Sequence, residues 1–266
     1  MSTQEKIKEV VRDKYSSIAR NSNSLFGPGC SCCSSPEQKY NLMQDSYVNI
    51  DGHYHEADLG LGCGLPTEYA LLKAGHTVLD LGSGAGNDVF VARSIVGSDG
   101  RVIGLDFSKD MVKKAKKNVQ KLGYKNVEFI QGDIESIPLD EGSIDVVISN
   151  CVLNLVPDKV KVFSEIHRVL RHEGHFSISD IVIEGDLPEN IRRSAELYVG
   201  CVAGAIKKEE YMQYIANQGF KEVSIQKEKP IDLPDELLLE HLSQDVIDAY
   251  RQSGVRVVSI TVFGKK

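Results

Sequence analysis

The sequence predicts an α/β protein built on a mostly parallel, doubly wound sheet. Three observations predict it. From His76 onward, short apolar runs alternate with amphipathic segments of 10–15 residues, as in successive βαβ units. The first apolar run ends in Asp80-Leu81-Gly82-Ser83-Gly84-Ala85-Gly86, a glycine turn of the kind that joins a strand to a helix at a ligand crevice. The next two runs end in acids, at Asp106 and at Gly132-Asp133-Ile134-Glu135.

Taken in order, residues 2–20 carry Ile7, Val10, Val11, Tyr15 and Ile18 at helical spacing, and Ser2 with Glu5 has capping-box spacing. Residues 21–36 are a Ser/Gly/Asn-rich loop holding Cys30, Cys32 and Cys33. Residues 41–66 lack periodicity and are punctuated by Gly60, Gly62, Gly64 and Pro66. Thr67 is expected to cap a short helix ending near Gly75. Strands follow at 77–81, 101–105, 126–131, 143–149 and 174–180. Between them, helices begin near Asn87, run from the Ser108 cap to Leu122 with Gly123 as the stop, and span 159–170. Beyond Asp180 the pattern predicts helices around 190–198 and 208–218 and a mostly helical stretch at 234–252. Two returning strands fall at 222–227 and 255–263. Three regions result: an extension over 1–66, a ligand-binding core over 67–182, and a C-terminal covering region over 183–266.

Composition narrows the function. The chain has 266 residues, 41% hydrophobic and 26% charged, with a net charge of −7. That is an ordinary globular composition, and the charge argues against nucleic acid or an anionic membrane as partner. No apolar run approaches the roughly 20 residues of a membrane span. Residues 1–20 are charged and lack the apolar segment of a secretory leader. The expectation is a cytoplasmic protein, monomeric by default. Its six cysteines, Cys30, Cys32, Cys33, Cys63, Cys151 and Cys201, are then not a disulfide staple. They are core residues, ligands or reactive thiols.

The glycine turn reads G-x-G-x-G followed by Asn87, rather than the G-x-G-x-x-G of a dinucleotide site. That disfavours a NAD-dependent reductase. Asp80 ahead of the turn suits a cationic ligand better than a pyrophosphate. Asp106 lies where an acid holds ribose hydroxyls, and Asp133 is suited to an adenine amino group. These residues resemble the class I S-adenosylmethionine-dependent methyltransferases over roughly residues 76–182, and Leu170-Arg171-His172-Glu173-Gly174 resembles that family's turn into the fifth strand. The resemblance implies a Rossmann-like, seven-stranded sheet whose final strand is antiparallel. It also implies S-adenosylmethionine as cofactor, lined by Asp80, Gly82, Ser83, Gly84, Gly86, Asn87, Asp106, Phe107, Asp133, Ile134 and Asn150.

The cysteines fall on the same fold. Cys63 sits in a glycine loop, Cys151 just past the fourth strand, and Cys201 in the region after the fifth. Three thiols suit a soft, thiophilic, three-coordinate ion, and trivalent arsenic also keeps a lone pair able to attack a methyl sulfonium. Leu59-Gly60-Leu61-Gly62-Cys63-Gly64, Ser149-Asn150-Cys151-Val152-Leu153-Asn154-Leu155 and Cys201-Val202-Ala203-Gly204-Ala205, with the glycine turn, resemble the arsenite S-adenosylmethionine methyltransferases over about residues 1–220. That resemblance implies arsenic(III) on Cys63, Cys151 and Cys201, with a disulfide relay through Cys32 or Cys33. It also implies a reducing thiol, glutathione or thioredoxin-like, as the second partner. Cys30 is an addition with no assigned role.

The alternatives are a methyltransferase of an organic small molecule with incidental cysteines and a non-catalytic metalloid- or zinc-binding protein. His53 and His55 are expected in a solvated loop. His167, His172 and His175 are expected in structural roles, and Lys113, Lys114, Lys116 and Lys117 on the wet face of a helix.

Overall fold

The computed structural model describes residues 3–21, 45–186, 204–233, 235–239 and 242–266. Among them are seven strands: β1 (Thr77–Leu81), β2 (Arg101–Asp106), β3 (Val127–Gln131), β4 (Ile144–Asn150), β5 (Leu170–Glu184), β6 (Lys221–Ile231) and β7 (Arg256–Lys265). They form one sheet in the order β3-β2-β1-β4-β5-β7-β6. Strands β1 to β5 pair in parallel, and β7 is antiparallel to both its neighbours. The predicted fold class, including the antiparallel final strand, is what the chain adopts.

The helices are α1 (Thr3–Asn21), α2 (Pro66–Tyr69), α3 (Asn87–Val96), α4 (Lys109–Leu122), α5 (Lys159–Val169), α6 (Lys208–Asn217), α7 (Asp235–Leu239) and α8 (Gln244–Gln252). Strand β1 is buried from Val78 to Leu81, because helices cover both faces of the sheet. On one face Phe163 and Ile166 of α5 and Tyr211 and Ile215 of α6 pack on Leu79, Phe176 and Ile260. On the other, Val89, Phe90 and Val96 of α3 and Val112 and Ala115 of α4 pack on Val78, Val102 and Phe129. A third cluster joins Val11 of α1, Leu238 of α7 and Ile247 and Tyr250 of α8 to Ile181, Ile183 and Val257.

Local chemistry sets the ends as read from sequence. Ser108 Oγ accepts from Met111 N, and Gly123 stops α4 in the left-handed region at φ 70°. Four expectations are corrected. Thr67 does not cap a helix reaching Gly75: α2 has only four residues, with Pro66 in its first turn and no side-chain cap. Strand β5 begins at Leu170 and runs past Asp180 to Glu184, because β7 pairs along its length from His175. Strand β6 likewise extends to Ile231. It is a sheet edge, where Pro230 is tolerated. Lys114 is not on the wet face of α4 but buried with Met111 and Ala115, while Lys113, Lys116 and Lys117 are exposed. The helix expected around 190–198 and the Ser2 cap lie outside the described residues. No described helix is long and apolar enough to cross a membrane.

Candidate active site

The strand order reverses between β1 and β4, and in open α/β sheets the crevice at that switch point, beyond the carboxyl ends, takes the ligand. A cavity of about 130 Å³ opens there. Of the eleven residues expected to face the cofactor, ten line it: Asp80, Gly82, Ser83, Gly84, Asn87, Asp106, Phe107, Asp133, Ile134 and Asn150. Gly86 does not. It precedes α3 at φ 102°, and a Cβ there would lie 2.7 Å from the Phe129 ring, so it shapes the turn rather than the wall.

The wall is acidic, and three of its carboxyl groups are buried. Asp106 closes β2, accepting Gly84 N at 2.9 Å through one oxygen and Ser108 N at 2.8 Å through the other. Burial pushes its carboxyl up to about 6 against those two N–H groups. Asp88, at the start of α3, is also pushed up to about 6, chiefly by burial, while Tyr47 Oη and Asn150 Nδ2 donate to it at 2.8 and 3.1 Å. Asp80 is raised well above the usual carboxylate range by burial, then by the charges of Asp88 and Asp106. Ser83 Oγ and Asn87 Oδ1 are buried with no hydrogen-bond partner among the described residues. Three buried acids and two unpaired oxygen atoms form a surface that favours a cation carrying hydrogen-bond donors.

Asp133 also lines the cavity, but its carboxylate is already engaged: Lys8 Nζ of α1 donates to it at 2.6 Å and also pairs with Glu135. Val11 and Tyr15 of the same helix face the cavity, and α1 is tied further by Ser16 to Ser108 at 3.0 Å and by Arg20 to Asp110 at 2.5 Å. The sequence presents α1 as an amphipathic helix, with no signal that it walls the cleft.

At the β4 side stand the thiols. Cys151 lines the cavity and takes φ 61°, a conformation uncommon outside glycine and concentrated at functional sites. Its N–H donates to Ser179 O at 2.8 Å. Cys63 is fully buried and belongs with Cys151 to one apolar cluster. Neither is joined to the other in a disulfide. Beside them lies a buried polar group not singled out in the sequence. Asp180 is pushed up to about 7 by burial and accepts from Asn154 Nδ2 at 2.8 Å and from Tyr211 Oη at 3.3 Å. The Tyr211 hydroxyl is raised by burial and Asp180 first, and then by Cys63 and Cys151. Cys30, Cys32, Cys33 and Cys201 lie outside the described residues. His53 pairs with Asp58 at 3.1 Å, His167 packs on Phe220, and His175 bonds Ala70 O at 2.7 Å.

Asn150, expected beside the cofactor, has its whole amide committed. Its Oδ1 accepts Cys63 N at 2.9 Å and Gly64 N at 3.3 Å, and its Nδ2 donates to Gly64 O at 2.8 Å. Tyr47 and Asp88, which complete this network, went unremarked in the sequence. Asp88 follows the predicted Asn87, a helix-start acid that can be found by position, whereas Tyr47 stands in an unpatterned stretch with no signal.

Residues 72–219 match the family described as "Methyltransferase domain". The chain is 38% identical to the arsenite methyltransferase of Halobacterium salinarum, over 98% of this chain and 67% of that protein. It is 35% identical to the human arsenite methyltransferase, over 80% of this chain and 58% of that one. It thus spans about two thirds of the archaeal relative's length and under two thirds of the human one's. Among solved structures, an arsenic(III) S-adenosylmethionine methyltransferase from Chlamydomonas reinhardtii matches with a TM-score of 0.66 at 32% identity, covering 88% of this chain and 75% of that one. The chain belongs to the arsenite methyltransferase family, on the fold of the class I S-adenosylmethionine-dependent methyltransferases.

Proposed function

We propose that the chain transfers methyl groups from S-adenosylmethionine to trivalent arsenic, arsenite and then methylarsenite, bound as a thiolate adduct of Cys63, Cys151 and Cys201. The observation that carries this reading is the pair of buried thiols, Cys63 and Cys151, in one apolar cluster at the β4 edge of an acid-lined cleft.

The cleft residues fit the cofactor. Asp88 and Asp106 offer buried negative charge to a sulfonium and an ammonium, Asp80 offers a carboxyl that an approaching cation would return to its ionised form, and the unpaired Ser83 Oγ and Asn87 Oδ1 offer acceptors to polar hydrogens. Bound there, S-adenosylmethionine supplies an electrophilic methyl group on a positively charged sulfur. Asp106 would hold the ribose, Asp133 with Ile134 the adenine, and Asp80 the amino acid end.

The protein's work is then chiefly positioning. Three thiolates exchange onto arsenic, displacing the thiols on which it arrives, and the trigonal adduct directs its lone pair at the methyl carbon. As the As–C bond forms, the S–C bond breaks and a neutral thioether leaves. The nucleophile carries no proton, so no general base is needed. Arsenic becomes formally pentavalent. Two thiolates return it to the trivalent state by closing a disulfide, and Cys32 or Cys33 resolves that disulfide at the expense of an external thiol, glutathione or a thioredoxin-like protein. On this reading residues 1–66 act as a relay-bearing extension, 67–182 as the cofactor-binding core and 183–266 as the substrate cover, in a monomer acting in the cytoplasm.

Thiol counting tests it. One equivalent of arsenite should mask three of the six thiols of the reduced protein against alkylation, and at most two in Cys201→Ser. Six reactive thiols in the presence of arsenite, from protein that still binds S-adenosylmethionine, would favour the organic acceptor.

A further inference from the structure

Cys63 lies on a loop without regular secondary structure, yet a reacting group must be held to within about half an ångström. The peptide groups around it are held from opposite sides by residues distant in sequence. On one side, Asn150 Oδ1 at the end of β4 accepts Cys63 N at 2.9 Å and Gly64 N at 3.3 Å, while Asn150 Nδ2 donates to Gly64 O at 2.8 Å. On the other, Ser259 Oγ of β7 donates to Cys63 O at 2.6 Å. Asn150 is itself braced by Tyr47 Oη at 2.8 Å and Asp88 Oδ2 at 3.1 Å. The fit leaves no space for a side chain at position 62, where a Cβ would lie 2.7 Å from Asn150 Nδ2.

We propose that Asn150 and Ser259 are positioning residues, a two-sided clamp on the Cys63 peptide that sets its thiol opposite Cys151. The assignment rests on the arsenic-thiolate reading for its purpose, though not for its geometry. Ser259 is buried, 5% exposed, and lies in the middle of β7 away from the cofactor cleft. It therefore isolates thiol placement from cofactor binding in a way Asn150, which lines that cleft, does not. Its loss removes a hydrogen bond to a buried carbonyl, worth about a tenfold change in the equilibrium it supports.

The test compares Ser259→Ala with Ser259→Thr, which keeps the hydroxyl on a side chain at home in a strand. Iodoacetamide labelling of reduced protein, resolved by peptide, gives the relative rates at Cys63 and Cys151, and arsenite methylation gives KM and kcat. In Ser259→Ala, Cys63 should label about tenfold faster while Cys151 keeps its rate. KM for arsenite should rise with little change in kcat, and the Kd for S-adenosylmethionine should stay within about twofold. Ser259→Thr should behave as the parent. Unchanged Cys63 labelling, or equal acceleration at both thiols, overturns the clamp. Should the parent enzyme not methylate arsenite, the functional reading fails, and the labelling ratio still decides the clamp.

Discussion

Replacing Asp106 with Asn separates the cost of the buried charge from the hydrogen bonds it makes. In the unliganded protein the Asp106 carboxyl is raised from about 3.8 to about 6 by burial, so the native state binds a proton more tightly than the unfolded chain. Stability contributed by that proton is fully present below about 3.8 and is lost as pH rises through about 6. The whole difference is about 3 kcal/mol, at 1.36 kcal/mol per pH unit, of which a little over 1 kcal/mol falls between pH 7 and pH 5. Asn mimics the neutral acid but supplies one acceptor where Asp106 uses two oxygens, for Gly84 N and Ser108 N, and the unmade bond costs about 1–3 kcal/mol. Asp106→Asn should thus nearly match the parent at pH 7 and fall behind it at pH 5. The gap in Tm should widen by roughly 2–4 °C over that interval, for a chain of this size. Differential scanning calorimetry of the two proteins across pH 5–7.5 measures the gap directly, and titrations of groups that do not sense the Asp106 charge cancel. A gap independent of pH would refute the assignment of a protonatable, buried Asp106. Asp106→Asn should also weaken S-adenosylmethionine binding by at least tenfold at pH 7.5, about the worth of one charge-assisted hydrogen bond.

Other perturbations probe other parts of the architecture. Lys8→Met removes the ammonium that holds Asp133 and Glu135; S-adenosylmethionine should bind about three- to tenfold more weakly by calorimetry, while Tm changes little, because these partly exposed pairs are still solvent-screened and such pairs contribute about 0–1 kcal/mol. Gly86→Ala combines φ 102° with a Cβ 2.7 Å from Phe129; it should cost about 2–4 kcal/mol and lower Tm by at least 5 °C. Phe176→Ala empties a fully buried site where Phe176 meets Phe163 and Phe220 at centroid distances of 6.2 and 4.9 Å; urea unfolding should show a loss of about 3–5 kcal/mol, with the cofactor affinity of the folded fraction retained.

The parts legible in the sequence are those set by local rules. The β1 turn, the Ser108 cap and the acids at strand ends follow from backbone requirements within a few residues, so both their existence and their place at the crevice could be read directly. Cys151 could be placed for the same reason, lying one residue past a strand. Tyr47, Ser259 and Lys8 could not. Each acts on a partner far along the chain: Tyr47 on Asp88, Ser259 on Cys63 and Lys8 on Asp133. Nothing in their own neighbourhoods marks them. Lys114 went astray for a related reason, since its charge argues for solvent while its position on α4 puts its stem over the core. The lengths of β5 and β6 were set by β7, a partner reached only after the last helix.

The most direct measurement is a product assay. Reduced protein is incubated with arsenite, S-adenosylmethionine and excess thiol, and arsenic species are separated by chromatography with elemental detection. The arsenic-thiolate mechanism requires methylated arsenic from the parent chain and none from Cys151→Ser, which loses one thiol at the edge of the cleft. Methylation by Cys151→Ser at the parent's rate would contradict it, as would the absence of methylated arsenic from parent protein that still binds the cofactor.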